Sequence, residues 1–92
     1  MKIKLSDAAL SALECSGLEL EDEPGLVAKA WTGRTLVFEE ADRDALFLEL
    51  TEMSNSEDAT AEDTNEDPDI RKYARRAARS LGTLASRVLR AE

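Results

Sequence analysis

Histidine does not occur in this sequence of 92 residues. With it go the side chain that ordinarily titrates between about pH 5 and 8, and with that every His-based catalytic triad, the HExxH metal site and the His proton shuttle. Cysteine occurs once, as Cys15. One thiol excludes an internal disulfide and a multi-thiolate zinc site, which fits a reducing, cytoplasmic setting. The four glycines, Gly17, Gly25, Gly33 and Gly82, are scattered and form no GxxxxGK[ST], GxGxxG or GxSxG pattern. There is one Trp, one Tyr and two Phe, so the core must be built of Leu, Ala and Val. Nowhere does an apolar run reach the length of a signal h-region or a membrane span, so the expectation is a soluble chain with no membrane partner. Neither a cofactor nor a metal is expected, and the chemical inventory reads as that of a binding protein, not an enzyme.

Charge of one sign is what the chain has in excess. Twelve Lys and Arg face twenty Asp and Glu, for a net charge of −8. The excess is segregated. Residues 1–70 hold five bases and nineteen acids, a balance of −14, whereas residues 71–92 hold seven and one, a balance of +6. Within 44–70 there are ten acids and no base. A general nucleic-acid binder is less expected of so acidic a chain, because affinity for a phosphate backbone comes from neutralising it. The last helix escapes that objection.

Along the chain the hydrophobic period changes twice. Lys2 to Leu5 alternates, with Ile3 and Leu5 on one face, and predicts a short strand. Ser6 is a natural N-cap for a helix over 7–16, where Ala9, Leu10 and Leu13 share a face and Gly17 takes the C-cap. Leu18-Glu19-Leu20-Glu21 alternates again, and Asp22-Glu23-Pro24-Gly25 reads as a turn or loop. Residues 26–31 and 34–39 are β-rich runs about Thr32-Gly33 and predict a hairpin. In a two-residue loop of that register Trp31 faces Arg34, Lys29 faces Leu36 and Val27 faces Phe38, with Arg34 able to lie over the Trp31 ring. From Ala41 the period is helical. Leu46, Leu50 and Met53 form a stripe with Phe47 beside it and Leu48 off it, and the polar stretch beyond Met53 extends the helix to about Asp63 or else serves as a linker. Asp67-Pro68-Asp69 starts a last helix, running to about Arg90, as N-cap, N1 proline and first-turn acid.

That last helix carries both candidate surfaces. Its apolar stripe is Ile70, Ala74, Ala77, Leu81, Leu84 and Val88, at spacings of 4, 3, 4, 3 and 4. One copy of so small a domain leaves such a stripe short of cover, which predicts a homodimer through it. Its other face carries Arg71, Lys72, Arg75, Arg76, Arg79, Arg87 and Arg90. These predict contact with an acidic protein surface, with phosphate or with a nucleotide; alternatively they pair with the chain's own acidic helix at about 0 to 1 kcal/mol per pair, or simply keep the outer face of the helix wet. The stretch 57–69 fails as an EF-hand loop, since Pro68 falls where the turn needs Gly and Ala74 where a bidentate Glu is needed. Residues 44–70 also permit mimicry of nucleic acid by carboxylates. Ser56 and Thr60 before their acids read as local caps, Cys15 as a small buried hydrophobe, and Trp31, Phe38, Phe47 and Tyr73 as core, one per element.

The run Leu50-Thr51-Glu52-Met53-Ser54-Asn55-Ser56-Glu57-Asp58-Ala59, followed by Asp67-Pro68 and Arg75-Arg76-Ala77-Ala78-Arg79-Ser80-Leu81, resembles small accessory proteins of bacteriophages that infect actinobacteria. The resemblance covers about residues 34–92 and implies a host-directed or phage-regulatory binding protein in the host cytoplasm, with no site residues transferred. The expected architecture is a single α+β domain over 1–92. A strand, short helix and antiparallel sheet with the hairpin occupy 1–40, an acidic helix and hinge 41–66, and the basic amphipathic helix 67–92, the two helices forming a long antiparallel pair.

Overall fold

A computed structural model describes residues 1–15 and 25–91. The expected helix end at Ser16 and Gly17, the alternation over 18–21 and the acidic residues 22–24 lie outside the described residues. Strand Lys2–Lys4 (β1) leads into helix Asp7–Cys15 (α1). Then follow a short helix Leu26–Ala30 (α2), strands Trp31–Thr32 (β2) and Thr35–Val37 (β3), a 3₁₀ turn Glu40–Asp42, and the long helices Arg43–Glu62 (α3) and Pro68–Leu89 (α4). The fold is α+β, with a three-stranded antiparallel sheet in the order β1-β3-β2 and α3 packed along α4.

The N-terminal elements follow their sequence signals. Ile3 and Leu5 are buried and Lys2 and Lys4 exposed, as alternation demands. The Ser6 hydroxyl accepts from the Ala9 N–H at 3.1 Å, closing the first turn of α1 as an N-cap should. Ala9, Ala12 and Leu13 are the buried face of that helix, with Leu10 at its edge.

The hairpin is shorter and differently registered than its composition predicts. Residues 26–30 are helical and not strand, because a distant carboxylate caps them. Glu49 of α3 accepts from the N–H groups of Leu26 at 2.9 Å and Val27 at 3.3 Å, filling the donors that a helix start leaves open. Val27 and Ala30, one turn apart, then go into the core. Only Trp31 and Thr32 remain to pair with β3, with Trp31 opposite Leu36 and Thr32 opposite Thr35. The loop is therefore Gly33-Arg34, with Gly33 first at φ 59, as a type II′ connection requires. Trp31 is half-buried and its indole N–H donates to the Gly33 carbonyl at 2.8 Å, while the Arg34 guanidinium pairs with Asp7.

The polar half of α3 is helix to Glu62, as the longer of the two sequence readings has it. Its lack of large apolar residues is made good by close approach to small ones on α4. Ala61 is buried, Ser54 Oγ donates to the Ala78 carbonyl at 2.8 Å, and Arg71 Nε donates to the Ala61 carbonyl at 2.9 Å. Asp67 caps α4 by accepting from the Asp69 N–H at 2.8 Å, with Pro68 at the first helical position.

The core joins all layers through Leu13, Val27, Leu36, Leu46, Leu50, Leu81, Leu84 and Val88, each fully enclosed. Truncating any of these leucines to Ala costs about 2 to 5 kcal/mol. This packing corrects the expected oligomer interface. Ala74, Ala77, Leu81, Leu84 and Val88 are buried inside the single chain, so their stripe is already covered by α3, α1 and the sheet. Ile70, expected with them, is 50 % exposed beyond the end of that seam. Tyr73, expected in the core, is 42 % exposed.

Candidate functional site

Helix α4 presents three sectors. The first is the buried stripe. The second faces α3 and includes Arg71, Ala78 and Gly82, whose nearest cross-helix neighbours are Ala61 and Ser54. The third begins on the opposite flank, where α1 lies, and continues over the outer ridge. Of the predicted binding residues, Lys72, Arg75, Arg76 and Arg79 are exposed on this third sector and Arg87 is half-exposed. Arg71 stands apart, tied by its Nε to α3 and partly buried.

The expected pairing of these cations with the protein's own acidic helix does not occur. Among the described residues one ion pair forms, between Arg34 and Asp7, and none involves α4. The reason is geometric. α3 and α4 meet through their apolar and small faces, so Lys72, Arg75 and Arg79 of α4 and Asp44, Glu52, Asp58 and Glu62 of α3 project outward from the seam on separate exposed faces. Among the described residues, no carboxylate forms an ion pair with this cationic face.

On the α1 flank, positions 73, 76, 80, 83, 87 and 90 of α4 recur at spacings of 3 and 4 and line a furrow. Its middle is a hollow of about 370 Å³ between Ser6, Ala8 and Ala9 on one side and Arg76, Arg79, Ser80, Thr83, Leu84 and Arg87 on the other. Toward the start of α4 it continues into about 230 Å³ bounded by Ala8, Ser11, Ala12, Tyr73, Arg76, Ala77 and Ser80. Toward the end it opens into about 320 Å³ bounded by Lys2, Ile3, Lys4, Arg87, Arg90 and Ala91. The structure thus adds Lys2 and Lys4 to the basic surface. No local signal joins them to α4, but the alternation that buries Ile3 and Leu5 also turns both lysines outward.

Compared with known proteins, the chain matches no family model, no curated sequence and no solved structure.

Two further clusters are chemically distinct from the basic surface. At the junction of α1, α3 and α4, the Tyr73 hydroxyl lies 3.3 Å from Ser11 Oγ, and its acidity is weakened chiefly by a hydrogen bond to the Cys15 side chain. Glu57 occupies a place in the α3 stripe where an apolar residue belongs, and partial burial pushes its carboxyl above the usual range. Cys15 is exposed, against the expectation of burial. Among the described residues no group of three or more acids or thiols is placed to hold a metal ion. The second cluster is Arg43 at the start of α3, whose guanidinium donates to the Ala91 carbonyl and contacts Met1 Sδ at 2.9 Å, joining both ends of the described chain. The Met1 amino group in turn donates to the Phe38 carbonyl at 2.6 Å. That cluster is structural in its contacts. No described helix is long and apolar enough to cross a membrane.

Proposed function

We propose that this is a non-enzymatic binding protein that docks the basic ridge of α4 on an acidic surface of a partner protein. The observation that carries the reading is the absence, among the described residues, of any ion pair to α4, although an acidic helix packs along its whole length. Cations on a 22-residue helix that pair with no described carboxylate offer an interaction surface whose field reaches a partner before contact. The resemblance to accessory proteins of actinobacterial phages supports a host-directed, regulatory role in the host cytoplasm, with a host protein as that partner.

The reading is tested by charge reversal on the ridge. Lys72→Glu with Arg75→Glu removes capture of the partner identified by cross-linking and mass spectrometry in an actinobacterial host. The melting temperature stays within a few degrees, because both side chains are exposed. Capture that survives the double reversal, or that is indifferent to salt, defeats the proposal.

A further inference from the structure

The furrow on the α1 flank has features that docking on a protein ridge does not use. Its three hollows share residues, Arg76 and Ser80 joining the 230 Å³ hollow to the middle one and Arg87 joining the middle one to the 320 Å³ hollow, so they form one track. From Tyr73 to Arg90 that track follows α4 for about 26 Å at the helical rise. Lys2, Lys4, Arg76, Arg79, Arg87 and Arg90 line it, and no described carboxylate does.

We propose that this track binds a single-stranded nucleic acid by its phosphate backbone, over a stretch on the order of four nucleotides or more. Four of the six cations are arginines, whose planar fork suits phosphate oxygens in pairs. Tyr73 stands at one end with its ring exposed and its hydroxyl anchored by Ser11, which leaves a fixed aromatic face for a base to stack on. The acidity of α3 does not cancel the track. α3 contacts the opposite side of α4, and the body of a helix about 10 Å across stands between them, more than the ~8 Å screening length of physiological salt. The track runs between α1 and α4 as a single line of hollows, which suits one backbone. The proposal goes beyond the protein-partner reading and, although Arg79 borders both surfaces, is tested at other residues, so either can fail alone.

Fluorescence anisotropy of a labelled eight-residue oligothymidylate with the full chain tests it. Binding is expected at 50 mM salt, with affinity falling on a log–log plot by about 0.7 per phosphate neutralised. Arg76→Ala and Arg87→Ala each weaken binding about five-fold and flatten that slope by about 0.7, while Lys72→Ala on the outer ridge changes it less than about two-fold. Tyr73→Ala weakens binding about ten-fold and Tyr73→Phe restores it, separating stacking from fold. Three results overturn the proposal: no anisotropy change at 50 mM salt, equal losses for ridge and furrow variants, or competition by a duplex or an oligoglutamate peptide as strong as by the unlabelled strand.

Discussion

At Gly25 a side chain fits only if Glu49 gives way, although the φ of −77 is ordinary for any residue. A Cβ there would collide with the Glu49 carboxylate that caps α2. Gly→Ala at such a backbone angle normally stabilises by limiting the unfolded chain, by about 0.4 to 1 kcal/mol. Here the opposite sign is expected: Gly25→Ala displaces Glu49 and destabilises by about 1 kcal/mol, the scale of a lost cap. Glu49→Ala should match it in urea denaturation, and a stabilised Gly25→Ala would show that the cap contributes nothing. Glu57 is a second residue held against its preference. Burial raises its carboxyl above the ordinary 4.5, so the folded state favours the neutral acid. Its contribution is therefore intact below about pH 4 and is lost as pH rises through the raised value. Glu57→Gln should accordingly stabilise at pH 7 by less than about 1 kcal/mol, given its exposure to solvent, and be neutral at pH 3. Thermal melts at both pH values check this, and an equal shift at both would remove titration as the cause.

Among the elements, those set by local chemistry were legible in the sequence and those set across the chain were not. Ser6 and Asp67 mark the starts of α1 and α4 because each cap acts within three residues of itself. The α4 stripe is readable because a 3.6 period survives in one sequence window. Residues 26–30 mislead because Leu, Val and Ala suit a strand until Glu49, over twenty positions later, supplies the cap. The hairpin register slips because Gly33 serves as well at the first loop position as at the second, and α2 uses up the residues that would have decided it. The basic residues were legible, but their neighbours Lys2, Lys4 and Tyr73 were not, since only packing brings α1 and β1 beside α4. The α3–α4 seam also holds a correctable weakness. Gly82 lies inside α4 with the nearest cross-helix atom, Ser54 Oγ, at 3.7 Å from a built Cβ, an ordinary contact. Gly82→Ala should stabilise by about 0.5 to 1 kcal/mol from helix propensity. A midpoint shift to lower urea would instead show that the helices need to approach more closely there.

For the molecule as a whole, the decisive question is whether one copy covers its own apolar surface. Composition suggests that it does not: four aromatics and an Ala-rich stripe leave little volume with which to build a core. Arrangement reverses that. Small residues on α4 let α3 approach along its length, α1 packs on the other flank, and β1 and β3 add Ile3 and Leu36 to the same core. The result has a radius of gyration of 13.0 Å, against about 12 Å for a compact chain of this length. Among the described residues the large apolar side chains left outside are Val37, Leu48, Ile70, Tyr73 and Leu89, and they fall on three elements instead of one continuous seam. Like charge opposes association further, since each copy carries −8. The stripe that predicted a homodimer is thus consumed within the chain, and sedimentation equilibrium should return a single 10.1 kDa species from micromolar to several hundred micromolar protein. Raised salt should not change that mass, because screening repulsion between copies creates no apolar face to join. A concentration-dependent dimer would require a surface other than the α4 stripe, and Ile70→Ser with Leu48→Ser would then tell whether the scattered exposed residues supply it. If the dimer instead disappeared with Leu81→Ser while the chain kept its helicity, the internal packing of α4 would have to be replaced by an exchange of that helix between copies.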